Sequence, residues 1–140
     1  MRKILVPYDG SNNAMRATQY AALLANDIPD TEVDLLNVQE PSLVREHANL
    51  SAQEIKSRQD EDADRTLQQA KQILDDAGVN CSVHCRIGSP AIEIAQYVRE
   101  ADCDTVVMGS RGLGQICGLV LGSVATKVIH LVDVPVTIVK

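Results

Sequence analysis

Residues 109–123 read GSRGLGQICGLVLGS, and five of the chain's eight glycines fall inside them. Glycine costs backbone entropy and offers a core no side chain, so such a cluster needs a geometric reason. Gly109, Gly112, Gly122 and Ser123 space out as G-x-x-G-x9-G-S, between the apolar run DTVVMG and the helical pattern SVATKVIHLV. Glycines let amide groups face a ligand with no Cβ in the way. A helix starting near Ser123 adds free N–H groups and a partial positive charge, both suited to phosphate. The Ser123 hydroxyl is one further donor, and Arg111 either contacts a phosphate or faces solvent. The competing reading is a tight loop packed on a sheet; the place after a strand and before a helix favours phosphate. The commoner phosphate motifs do not fit. No Lys-Ser/Thr pair follows the glycines, and no dinucleotide fingerprint follows the first strand.

A second loop, Pro7 to Ser11 (PYDGS), closes the first apolar run. An Asp here commonly makes an Asx-turn with its own backbone, and Asp9 can do that while also accepting hydrogen bonds from a ligand. Beside the expected phosphates the sequence places no lysine and no second carboxylate. Phosphoryl transfer needs such groups, so binding with at most slow hydrolysis is expected. His47, His84 and His130 form no ligand set of recognised spacing. The acidic run QDEDAD at 59–64 lacks the glycine and distal Glu of a calcium loop and reads as a solvated helix face. Cys81 and Cys85 lie four strand steps apart, roughly 13 Å, too far for a disulfide or a shared metal. With Cys103 and Cys117 they read as buried or half-buried packing thiols.

These loops need elements to hold them. Ile4–Val6 reads as a first strand, Val33–Val38 as a second, CSVHCRI as a third, DTVVMG as a fourth and central one, and VPVTIVK as a fifth. Between them, Ser11 or Asn12 caps a helix to about Asn26 that is apolar on Met15, Ala22 and Leu23. Residues 41–52 read as a loop. Ala52–Ala77 follows as a long helix ended by Gly78. Ser89 and Pro90 start another helix, and Val124, Val128 and Leu131 set the inner face of the last. Strands alternating with helices imply an α/β fold: a single-domain, open, five-stranded parallel sheet with helices on both faces. In such sheets ligands sit beyond the carboxyl ends of the strands, where the strand order reverses.

Composition agrees. The chain has 140 residues, enough for one domain over 1–140 with a working core. It is 45% hydrophobic with no Trp or Phe, so Val, Ile, Leu and Ala must build the core. A net charge of −6 argues against a nucleic-acid partner. No apolar run approaches the roughly 18 residues of a membrane span, and no charged-then-apolar leader opens the chain, so a cytoplasmic place is expected.

With ILVPYDGS, LLNV, GSP, VVMGSRGLG, GLVLGSVATKVIH and VPVTIVK in place, the whole chain resembles the ATP-binding branch of the universal stress protein family. The resemblance implies a homodimer, a role in stress response, and ATP as ligand with Mg held by its phosphates. It assigns Asp9 to ribose hydroxyls, with Pro7 in the same pocket wall, and the Val38 backbone to the adenine edge. Gly109 and Gly112 would line the ribose and phosphate path, Gly122, Ser123 and Val124 would bind the phosphates, and Met108 and Ala14 would be apolar neighbours. Asn37 stands where such members often carry His; if backbone groups read adenine, the swap matters little. The implied activity is regulatory, read by the dimer or an unidentified protein partner. The alternatives are a slow ATP hydrolase and a nucleotide-independent interaction protein. The last strand, with Pro135 near its start, suits a sheet edge that pairs with its own copy.

Overall fold

Ile4, Leu5 and Val6 have no exposed surface. Successive side chains of a strand point to opposite faces, so a strand apolar at every position is one covered on both sides. In this computed structural model, which describes residues 2–41, 51–111 and 121–140, that strand is the middle of the sheet. The strands are β1 (Arg2–Pro7), β2 (Thr31–Gln39), β3 (Asn80–Ile87), β4 (Thr105–Gly109) and β5 (Val136–Val139). They pair in parallel throughout, in the order β3-β2-β1-β4-β5.

The helices are α1 (Asn12–Asp27), α2 (Ala52–Asp76), α3 (Pro90–Glu100) and α4 (Ser123–Leu131). Ile4, Val6, Val33, Leu35 and Val107 pack with α1 and α2 on one face. Leu5, Leu36, Val106 and Met108 pack with α3 and α4 on the other. The α/β architecture follows the sequence expectation, with one shift. β4 is interior but not central, because full apolarity requires only cover on both faces, and a strand one place from the edge has it.

Two helix starts are held by side-chain caps. Ser11 Oγ accepts from the Ala14 N–H at 3.1 Å and caps α1. Ser51 and Glu54 form a reciprocal capping box on α2. Gly78, at φ 72°, turns the chain out of α2 in a conformation that disfavours a side chain. Two helix faces differ from the periodicity. α1 buries Ala14, Ala17, Thr18, Ala21 and Ala22 and leaves Leu23 64% exposed. A face of small side chains lies close to the sheet and has no depth for a leucine. In α4, Ala125 and Val128 are buried while Leu131 is 44% exposed.

Cys103 is buried and Cys81 half-buried, as the packing reading expects, but Cys85 is exposed. β3 is an outer strand, so its side chains have fewer neighbours. Burial pushes the Cys81 thiol up to about 11 and the Cys103 thiol up to about 12, so both stay protonated at neutral pH. Cys117 lies outside the described residues. No helix among the described residues is long and apolar enough to cross a membrane.

Candidate functional site

β1 and β4 are neighbours in the sheet, yet the helix after β1 covers one face and the helix after β4 covers the other. Strand order therefore reverses between their carboxyl ends. The Pro7–Ser11 loop and the segment from Gly109 onward both begin at this switch point, where open parallel sheets bind ligands.

On the β1 side, Pro7 ends the strand opposite Leu36. Tyr8 is pinned twice to β2: its N–H donates to the Leu36 carbonyl and its own carbonyl accepts from Asn37 Nδ2, both at 2.9 Å. Asp9 Oδ1 accepts from the Ser11 N–H at 2.9 Å, the expected Asx-turn, and Gly10 takes a left-handed φ of 85° directly after it. The half-buried Asp9 carboxylate is thereby held over the strand ends. Val38, one residue from the end of β2, packs its side chain against the α3/α4 core.

On the β4 side, the Met108 side chain is committed to that same core, with Ala125 and Val128. Gly109 shows why one glycine of the cluster is there. A Cβ on it would lie 2.8 Å from Asn13 Cβ, 2.9 Å from Asn13 C and 3.1 Å from Ala14 N. What approaches this backbone is the first turn of α1. Ser110, 3% exposed, is the next junction. Its N–H donates to the Val139 carbonyl at 2.8 Å, its carbonyl accepts from the Gly122 N–H at 2.7 Å, and its Oγ accepts from Asn13 Nδ2 at 2.9 Å. One buried serine thus joins β5, the start of α4 and the start of α1. Arg111 is half-buried. Gly112 lies outside the described residues.

Gly122 is the N-cap of α4, in extended conformation at φ −71°, and no described side chain caps the helix. The first intrahelical acceptor, the Gly122 carbonyl, is taken by the Thr126 N–H at 3.0 Å. The amides of Ser123, Val124 and Ala125 come before it and precede any carbonyl of their own helix, the position at which helices bind anions. Ser123 and Val124 open onto a pocket of about 380 Å³, completed by Glu40, Pro41, the Gly88–Ala91 turn and Lys127.

Lys127 and Glu40 are the charged groups that the sequence expectation left out. Lys127 lies one helical turn beyond Ser123 and shares its side of α4, a spacing that was legible. Nothing in the sequence signals Ser110 and Asn13, which meet across 97 positions. Of the histidines, His84 sits on β3, 2.9 Å from Ser82 Oγ and tilted against the Tyr97 ring, away from the strand ends. His130 lies in the last turn of α4, and His47 lies outside the described residues. Asp60, Glu61, Asp62 and Asp64 are exposed on α2. Among the described residues, no three His, Cys, Asp or Glu side chains are grouped to hold a metal ion.

The model of the universal stress protein family matches residues 1–140. The universal stress protein MJ0531 of Methanocaldococcus jannaschii is 31% identical over 140 residues, covering 99% of this chain and 82% of the relative. The solved structure of MJ0577, from the same organism, superposes with a TM-score of 0.88 at 29% identity, covering 99% of this chain and 95% of that one. A universal stress protein from Archaeoglobus fulgidus, solved in complex with dAMP, shares the fold at a TM-score of 0.70 and 24% identity, covering 100% and 98%.

Proposed function

The chain belongs to the universal stress protein family, and from that premise and the geometry at its strand ends we propose that it is an ATP-binding regulatory protein. The observation that carries this reading is the uncapped start of α4, brought to the β1/β4 switch point by the Ser110–Gly122 hydrogen bond. The Ser123, Val124 and Ala125 amides, which precede any carbonyl of their own helix, the Ser123 hydroxyl and the Lys127 ammonium are donors of the kind a polyphosphate takes, at a point where the helix dipole favours negative charge. Asp9 faces the ribose, and the backbone at Val38 meets the base. The family relative of the same fold solved with dAMP holds an adenine nucleotide. Mg, carried by the phosphates, enters with the nucleotide. Occupancy of the cradle is read in the cytoplasm by a dimer partner or another protein.

The deciding experiment is thermal unfolding of the wild type and Gly122→Val with Mg-ATP, with GTP and AMP as controls. A ligand at 100 times its dissociation constant stabilises by about 2.7 kcal/mol, several degrees for a domain of this size. The expected result is an ATP-selective shift that Gly122→Val abolishes. Because φ −71° suits any residue, valine there tests the cradle and not the backbone. No shift in nucleotide-free wild type would leave the interaction-protein reading in its place.

The presence of both a lysine and a carboxylate, Lys127 and Glu40, around the pocket beside Ser123 favours one second reading, a nucleotide hydrolase. Steady-state turnover above about 1 s⁻¹, the low end for dedicated enzymes, would establish it over the regulatory reading.

The dimer would form at β5. This outer strand is half-buried along its length, and the bonds from Val106 N–H to Pro135 O and from Ser110 N–H to Val139 O fix its pairing face. In a parallel ladder Val136 and Ile138 then turn their amide groups away from β4. Ile138→Pro removes one outward donor and spares that ladder. The variant should sediment as a folded monomer where the wild type is a dimer; a dimeric variant would place the contact elsewhere.

A further inference from the structure

The Asn37 side chain is 6% exposed; its Nδ2 donates to the Tyr8 carbonyl, while its Oδ1 is buried with no hydrogen-bond partner among the described residues. The orientation of the amide is not ambiguous, because only the NH₂ end can serve a carbonyl. A buried acceptor left unpaired is costly, so the group is there for its donor. That donor holds the carbonyl directly preceding Asp9, and the Tyr8 N–H bond to Leu36 holds the other side of the same residue. Asp9 is then aimed by two bonds before it and by its own Asx-turn to Ser11 after it. The left-handed Gly10 lies within that turn and has no side chain to pack, so Asn37 supplies a long-range side-chain bond that helps set where the carboxylate points.

We propose that Asn37 is the positioning residue that gives this site its selectivity for a ribose with free hydroxyls. This rests on the nucleotide reading above. The base edge and the phosphates meet other groups, so loss of the Asn37 donor should remove sugar discrimination and spare the rest of the binding energy. Stability should change little. Asn37→Leu leaves the Tyr8 carbonyl unpaired but also removes the orphaned Oδ1, and the two effects oppose each other.

The test is a titration of wild type, Asn37→Leu and Asn37→His with Mg-ATP and with Mg-2′,3′-dideoxy-ATP, alongside thermal unfolding without ligand. Wild type should prefer ATP by about tenfold or more, the size expected from hydrogen bonds between hydroxyls and a carboxylate. Asn37→Leu should bind both nucleotides alike, within about twofold. Asn37→His, whose ring N–H reaches a similar point, should recover the preference. An Asn37→Leu protein that unfolds earlier but keeps the wild-type ratio would overturn the proposal and leave Asn37 a packing residue. Wild type that binds both nucleotides equally would overturn it too, by removing Asp9 from the sugar. Wild type that binds neither sinks the nucleotide reading itself. Should Asn37→Leu not fold, Asn37→Asp reports the same ratio, since it keeps the shape and replaces the donor by an acceptor.

Discussion

Gly109→Val should destabilise the protein by about 3 kcal/mol, the upper end of what overpacking costs. The smallest side-chain atom placed there already meets Asn13 Cβ at 2.8 Å and Asn13 C at 2.9 Å, distances that require movement. Neither contact is the tip of a flexible side chain; both belong to the first turn of α1, whose start Ser11 holds. Relief must come from lifting α1 off β4, and that also stretches the Asn13–Ser110 hydrogen bond. Denaturant unfolding should show a lower midpoint at an unchanged slope. Wild-type stability would mean that α1 can shift freely, and it would return the space at Gly109 to a ligand. Gly122→Val, at a backbone φ of −71° that any residue adopts, should leave the midpoint near wild type, so the two glycines separate structure from binding.

A loss of similar size is expected from Tyr97→Phe. Asp34 is 4% exposed on the α3 face of β2, and its carboxylate accepts from Tyr97 Oη at 2.8 Å and from Ser82 Oγ at 2.7 Å. Burial and this hydrogen bond hold the Tyr97 phenol protonated well above the usual range, so it remains a donor at any working pH. Phenylalanine keeps the ring, the Arg86 guanidinium 5.0 Å above it and the tilted His84 contact. Only the donor is lost, and a buried carboxylate short of a hydrogen bond costs about 2–3 kcal/mol. Urea unfolding of Tyr97→Phe beside Asp34→Leu, which has no acceptor, and the double variant measures the pair directly. Additive single effects would show that the bond contributes nothing of its own.

Much of the fold was legible because it is governed by local chemistry. The apolar runs at Ile4–Val6 and Val106–Met108, the cap at Ser11, Pro90 at a helix start and Gly78 after a helix end each express a rule spanning a few residues. Where that reading slipped, a neighbour distant in sequence was responsible. Leu23 faces out because α1 approaches the sheet on alanines. Cys85 is exposed because β3 turned out to be an edge, and strand order is not written in any single strand. Lys127 was visible at helical spacing from Ser123, but its place in a pocket with Glu40 depends on how α4 meets the end of β2.

By itself the sequence determined a parallel α/β domain with glycines and a helix start following the fourth strand, because hydrophobic periodicity and backbone preference act over short range. Only the tertiary structure decided what those glycines serve. At Gly109 it is the backbone of α1, brought in from the other end of the chain, that takes the space a side chain would fill. Ser110, Asn13 and Asn37 acquire their roles the same way, through hydrogen bonds across 97 and 29 positions. Such contacts leave no periodic trace in a sequence. They exist only once the hydrophobic collapse of the sheet has brought the strand ends together, where burial makes a polar group's hydrogen-bond partner matter.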